Sequence, residues 1–102
     1  MYSAVKIPSI QDIKKTSKPF FDSDIFKQVW LIGSFARQRH INPKSDIDFL
    51  IEYNIDLFDS KHLSEWSRAI DDLEKKFGRP VQFIPSDRFP GFDLVNQAVK
   101  IK

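Results

Sequence analysis

The sequence contains no cysteine, so neither a disulfide framework nor a thiolate metal centre is available to it. That fits a reducing compartment, and a cytoplasmic location is expected. No stretch is long and apolar enough to span a bilayer, and the leading MYSAVKIPSI lacks the apolar run of a secretory signal. No basic tract exceeds a lysine pair, and 16 basic against 14 acidic side chains leave a net charge of +2. Direct nucleic-acid binding through bulk electrostatics is therefore not expected, and any anion must be gripped locally. Internal repeats, low-complexity segments, a glycine-rich P-loop and a Ser/His/Asp triad are absent as well. His40 and His62 have no metal-ligand spacing and read as solvated loop and helix residues.

What the chain does have is apolar material. A hydrophobic fraction of 41% with ten phenylalanines in 102 residues is enough for one core, and residues 1–102 are read as a single domain. Pro8 to about Phe21 is predicted helical, with Ile10, Ile13, Ser17, Phe20 and Phe21 on one face and Pro19 near its end. Val29-Trp30-Leu31-Ile32 reads as a buried strand stopped by Gly33, and Trp30 is expected in the core. A loop over Gln38 to Ser45 carries the turn signal Asn42-Pro43, and Ser45 through Tyr53 reads as a second strand. From Ser60 to Phe77, apolar residues at Leu63, Trp66, Ile70, Leu73 and Phe77 recur at helical spacing, with Gly78 placed to close the helix. Pro80 to Pro85 is a third strand, and Phe92, Val95 and Val99 suggest a closing helix. The fold class that follows is α/β (α+β), a small mixed sheet with helices packed on one side.

The chemistry resides in two short segments. Residues two apart in a strand share a face, so Asp46 and Asp48 project together while Ile47, Phe49 and Ile51 face the core. Paired carboxylates repel unless a cation sits between them, and hard oxygen donors suit Mg²⁺. Alone, Asp-x-Asp is as well explained by a solvated strand end. Gly33-Ser34 ends a buried strand and leads into Ser34-Phe35-Ala36-Arg37. A glycine there lets the backbone approach an anion, and exposed N–H groups and the serine hydroxyl suit phosphate oxygens. Alone, that glycine is just a turn. Pairing the two strands would set the phosphate-gripping turn beside the metal-gripping carboxylates. That is the arrangement metal-assisted phosphoryl-type transfer requires. Arg37 and Lys44 flank this site as candidate phosphate contacts, with plain surface charge as the alternative.

The segment Leu31-Ile-Gly-Ser-Phe-Ala-Arg through Ser45-Asp-Ile-Asp-Phe-Leu-Ile resembles the signature of the minimal nucleotidyltransferases in the DNA polymerase beta superfamily. The motif-level likeness covers Val29 to Tyr53, and the element order is compatible over most of the chain. The resemblance implies the nucleotidyltransferase fold, with Gly33 and Ser34 holding the triphosphate of ATP or another NTP and Asp46 and Asp48 holding magnesium. It also implies transfer of AMP to a partner protein's tyrosine, in antitoxins paired with a helical toxin of the HEPN type. Gln38 stands where the family usually has glycine, and the loop between Ser34 and Asp46 is one residue longer than usual. The family's third carboxylate sits on a later strand, and Gln82 occupies that position. A neutral Gln cannot act as a general base. Asp87 and Glu52 are the nearest substitutes by type, and neither lies at the matching strand position.

Three readings follow. The first is a Mg²⁺-dependent nucleotidyltransferase acting on an acceptor hydroxyl. The second is a catalytically degenerate module that neutralises a HEPN-type partner by binding, with Gln82 in its favour. In the third, the chain is one subunit of a two-chain transferase whose helical partner holds the acceptor, because so small a domain has little room for two pockets.

Overall fold

The computed structural model describes residues 7–38, 41, 42, 44–88 and 98–102. The chain opens with helix α1, Ile10–Ser17. Ser9 caps it in a reciprocal capping box with Asp12, which satisfies two otherwise orphaned N–H groups. Pro19 then tightens the helix into a 3₁₀ turn over Lys18–Phe21, because its ring cannot continue an α-helix. Ile13, Ser17 and Phe21 are buried along the predicted face. Ser17 is accommodated there because its hydroxyl donates to the Ile13 carbonyl at 2.6 Å.

Strand β1 spans Phe26–Ile32, three residues longer at its start than the apolar run alone suggests. It is followed directly by the short helix α2, Gly33–Arg37, and then by strand β2, Ile47–Tyr53. Helix α3 runs Ser60–Phe77, with Asp59 as N-cap and Gly78 as the left-handed C-cap at φ 64°. It carries the chain across to β3, Val81–Pro85. β2 and β3 are parallel, so a crossover of this kind is required.

The sheet order is β3-β2-β1-β4, with both β1 pairings antiparallel. β4 is the short strand Val99–Lys100. This corrects the expectation of a closing helix through Val99, which instead pairs with Leu31. The other two residues of that expectation, Phe92 and Val95, lie outside the described residues. Two residues of strand at an edge present too little periodicity to be told from a helix end.

Side chains alternate across the sheet. Val29, Leu31, Ile47, Phe49, Ile51 and Val81 enter the core. Phe21, Phe26, Phe49, Phe83 and Trp66 form an aromatic cluster there, with ring centroids between 5.1 and 6.0 Å for its closest pairs. Such edge-to-face and stacked contacts add to the area these rings bury. Trp66 is packed against this core as expected. Trp30 is not, and its predicted core position is corrected. The β1 alternation puts it on the opposite face, half-buried, with Lys100 Nζ 5.1 Å above its ring. Leu63 departs from the apolar stripe of α3, with 43% of its surface exposed, while Ala69 takes a buried place. No helix among the described residues is long and apolar enough to cross a membrane.

Candidate active site

The site is assembled where β1 ends. Ile32, its last residue, is the cross-strand partner of Asp48. Gly33 follows with φ +76°, and a Cβ built there would lie 2.8 Å from Asp48 Oδ2. Both facts demand glycine: the left-handed backbone, and the lack of room for a side chain against the carboxylate. The two segments singled out in the sequence are therefore in direct apposition. α2 begins at this contact, and no side chain caps its first turn. Ser34 is half-buried at the second position.

β2 starts two residues later than the expected Ser45, so Asp46 lies just ahead of the strand and only Asp48 within it, both half-buried. Burial raises the pKa of Asp48 above the ordinary carboxylate value, the Asp46 charge raises it further, and Arg37 opposes both. Asp48 Oδ1 is buried without a hydrogen-bond partner among the described residues. A carboxylate oxygen held out of water, beside a second carboxylate and with nothing to satisfy it, is suited to a hard divalent cation. The donor set fits an ion taking two carboxylates and completing its shell with water or phosphate oxygens. Among the described residues, no group of three or more histidine, cysteine, aspartate or glutamate side chains gathers as a metal centre.

Gln82 is where the sequence placed it. It is the parallel-strand partner of Asp48, on the same sheet face, and exposed. Neither acidic substitute joins it. Glu52 accepts from Gln28 Nε2 at 2.9 Å, and Asp87 accepts from the Tyr53 hydroxyl at 3.1 Å, towards the other end of β2. Arg37 is exposed in the last turn of α2 and its charge is felt at Asp48. Lys44 lies in the loop ahead of β2. It stands exposed there, its N–H donating to Asn42 Oδ1 at 2.8 Å. His62 Nδ1 lies 2.8 Å from the Asp59 carboxylate at the start of α3, and His40 is outside the described residues. Clefts among the described residues lie elsewhere, one by Glu52, Tyr53, Ile55, Ser86 and Asp87 and another by Pro19, Phe20, Glu65 and Arg68.

Gln38 accounts for the departure noted in the motif. It caps α2 in the left-handed conformation at φ 55°, a position that glycine takes without strain. Its side chain compensates by donating Nε2 to the Phe35 carbonyl at 2.5 Å.

Sequence reasoning missed Arg79. Only 6% of its surface is exposed, and burial lowers its pKa from the usual guanidinium value. It lies over the Phe35 ring at 4.9 Å and donates from Nη1 to the carbonyls of Asn42 and Ser45, each at 3.2 Å. Among the described residues no carboxylate pairs with it. An arginine between Gly and Pro after a helix gives no local sign of burial, since that depends on what the fold lays over it.

A mixed four-stranded sheet with helices on one side, and a Gly-Ser turn set against an Asp-x-Asp strand, define the architecture of a nucleotidyltransferase domain. The nucleotidyltransferase domain family matches residues 13–101, and the chain belongs to that family. Membership carries a general function in nucleotidyl transfer. Comparison with curated proteins gives no match.

Proposed function

We propose that this chain binds a magnesium–nucleoside triphosphate, probed most simply as MgATP, and transfers its nucleoside monophosphate to an acceptor hydroxyl. The observation that carries the reading is the apposition of Gly33 and Asp48, 2.8 Å from a notional Cβ to Oδ2. It leaves a space beside the carboxylate that only a glycine keeps open. Asp46 and Asp48 would hold Mg²⁺, for which the unpartnered Asp48 Oδ1 is a ready ligand. Bound there, the ion would neutralise phosphate charge and polarise the reacting phosphorus. The N–H groups opening α2 and the Ser34 hydroxyl would orient the phosphates that leave, with Arg37 adding positive charge at the rim.

No described side chain beside the aspartates is placed to take the proton of an attacking hydroxyl, because Gln82 cannot. The proton must then pass to Asp46 or Asp48, to water, or to a group that arrives with the acceptor. This favours an acceptor presented by a second protein, and we place a tyrosine hydroxyl on a helical HEPN-type partner first.

Calorimetric titration with ATP, with and without Mg²⁺, tests the nucleotide site against an Asp46→Asn/Asp48→Asn variant. Magnesium-dependent binding lost in the variant is the expected result. A second reading is favoured by Gln82 itself: the same fold neutralising its partner by binding alone. Under that reading the double variant still neutralises the partner, and under the first it does not.

A further inference from the structure

The two residues that follow the α3 cap bracket Asp46. Arg79 Nη1 donates to the carbonyl of Ser45, immediately before Asp46, at 3.2 Å. The Pro80 carbonyl accepts from the N–H of Ile47, immediately after it, at 3.0 Å. One side of Asp46 is thus held by a buried side chain and the other by the adjoining backbone. The same guanidinium lies 4.9 Å from the Phe35 ring in α2, the helix that Gly33 opens. It also reaches the Asn42 carbonyl, which itself accepts from Ser45 N–H at 3.0 Å. The bracket is anchored in turn. Glu74 on α3 accepts from Val81 N–H at 3.1 Å, and Gly78 N–H returns to the Glu74 carbonyl at 2.8 Å.

A guanidinium is costly to bury, and one whose Nε finds no partner among the described residues more so. A leucine or methionine would fill the same volume over Phe35 at less expense. What those residues lack is a donor nitrogen that can hold two carbonyls of one loop, as Nη1 does, while the rest of the guanidinium lies over a ring of another element. We propose that Arg79 is a positioning residue for the nucleotide site. It locks the Asn42–Ser45 turn against α2 and so fixes Asp46 relative to Asp48 and the Gly33-Ser34 turn. This rests on the reading of Asp46 and Asp48 as cation ligands. Groups that orient ligands from behind typically change metal affinity by about 10–100-fold when removed.

The test compares wild type, Arg79→Met, Arg79→Lys and the core variant Ile13→Val in the full chain. Two readouts are used: amide hydrogen exchange, and Mn²⁺ affinity measured by titration of the metal alone. Arg79→Met is expected to speed exchange at Ser45 while β2 stays protected, and to weaken Mn²⁺ binding by about tenfold or more. Arg79→Lys keeps the charge and a donor nitrogen but loses the planar group over Phe35, and is expected between the two. Ile13→Val lowers stability and leaves Mn²⁺ affinity unchanged, which separates positioning from general loosening. Unchanged Ser45 exchange and unchanged Mn²⁺ affinity in Arg79→Met, with wild type binding normally, overturn the proposal alone. A wild type that binds neither Mn²⁺ nor MgATP overturns the nucleotide-site reading and the proposal with it.

Discussion

Replacing Gly33 by alanine tests the geometry of the site without reference to any ligand. At φ +76° an alanine carries a left-handed penalty of about 1–2 kcal/mol. Its Cβ would also stand 2.8 Å from Asp48 Oδ2, while Cγ and Cβ of that aspartate, at 3.6 and 3.7 Å, are at ordinary contact. Only the carboxylate need turn away, at about 0.5–1.5 kcal/mol for a side chain pushed off its rotamer. Reduced freedom of the unfolded chain returns about 0.4–1 kcal/mol. The net loss is about 1.5 kcal/mol, which for a domain of this size lowers Tm by about 6–12 °C. Thermal denaturation checks this, run also in an Asp48→Ala background. There the carboxylate component vanishes and the backbone component stays, giving a coupling of about 0.5–1.5 kcal/mol. An unchanged Tm in Gly33→Ala would refute the left-handed turn. An equal loss in both backgrounds would refute the apposition with Asp48.

At Gln38, alanine keeps the left-handed strain and loses the bond to Phe35, so Gln38→Ala is expected to melt earlier than wild type, with Gln38→Gly about 1 kcal/mol more stable than Gln38→Ala. Asp48 gives a pH dependence. Its pKa is raised in the folded state, so the folded state binds its proton more tightly than the unfolded chain does. In metal-free buffer that makes the wild type gain stability relative to Asp48→Asn as pH falls from the raised value towards the ordinary carboxylate value, and lose it as pH climbs back. Denaturant titrations of both proteins across that window read the difference, and a gap constant with pH would contradict the assigned cause. On α3, Leu73→Ala should cost about 2–5 kcal/mol because the residue is fully buried, whereas Leu63→Ala, at the half-exposed end of the stripe, should cost under about 1 kcal/mol. Equal melting of the two variants would mean that α3 is rotated on the sheet.

Much of this protein was determined locally. The 3.6-residue spacing from Leu63 to Phe77 specified α3 with its bounds, since an apolar stripe of that period is buried only as a helix. Alternation through Ile47, Phe49 and Ile51 specified both β2 and the face on which Asp48 stands. Gly33 was placed by the strand it follows and Gln82 by the strand on which it lies, and pairing then brought both to Asp48. Only the tertiary structure decided the rest. β4 exists because Leu31 and Trp30 offer it a partner edge, and nothing in two residues encodes that. Trp30 lies on the face opposite the core because strand alternation outweighs hydrophobicity, and neighbours along a strand cannot all turn inward. Arg79 is buried because Phe35 and the Asn42–Ser45 carbonyls, distant in sequence, converge on it. Periodicity reports which way a side chain points, but hydrogen-bond partners that far apart in sequence meet only once the chain has closed.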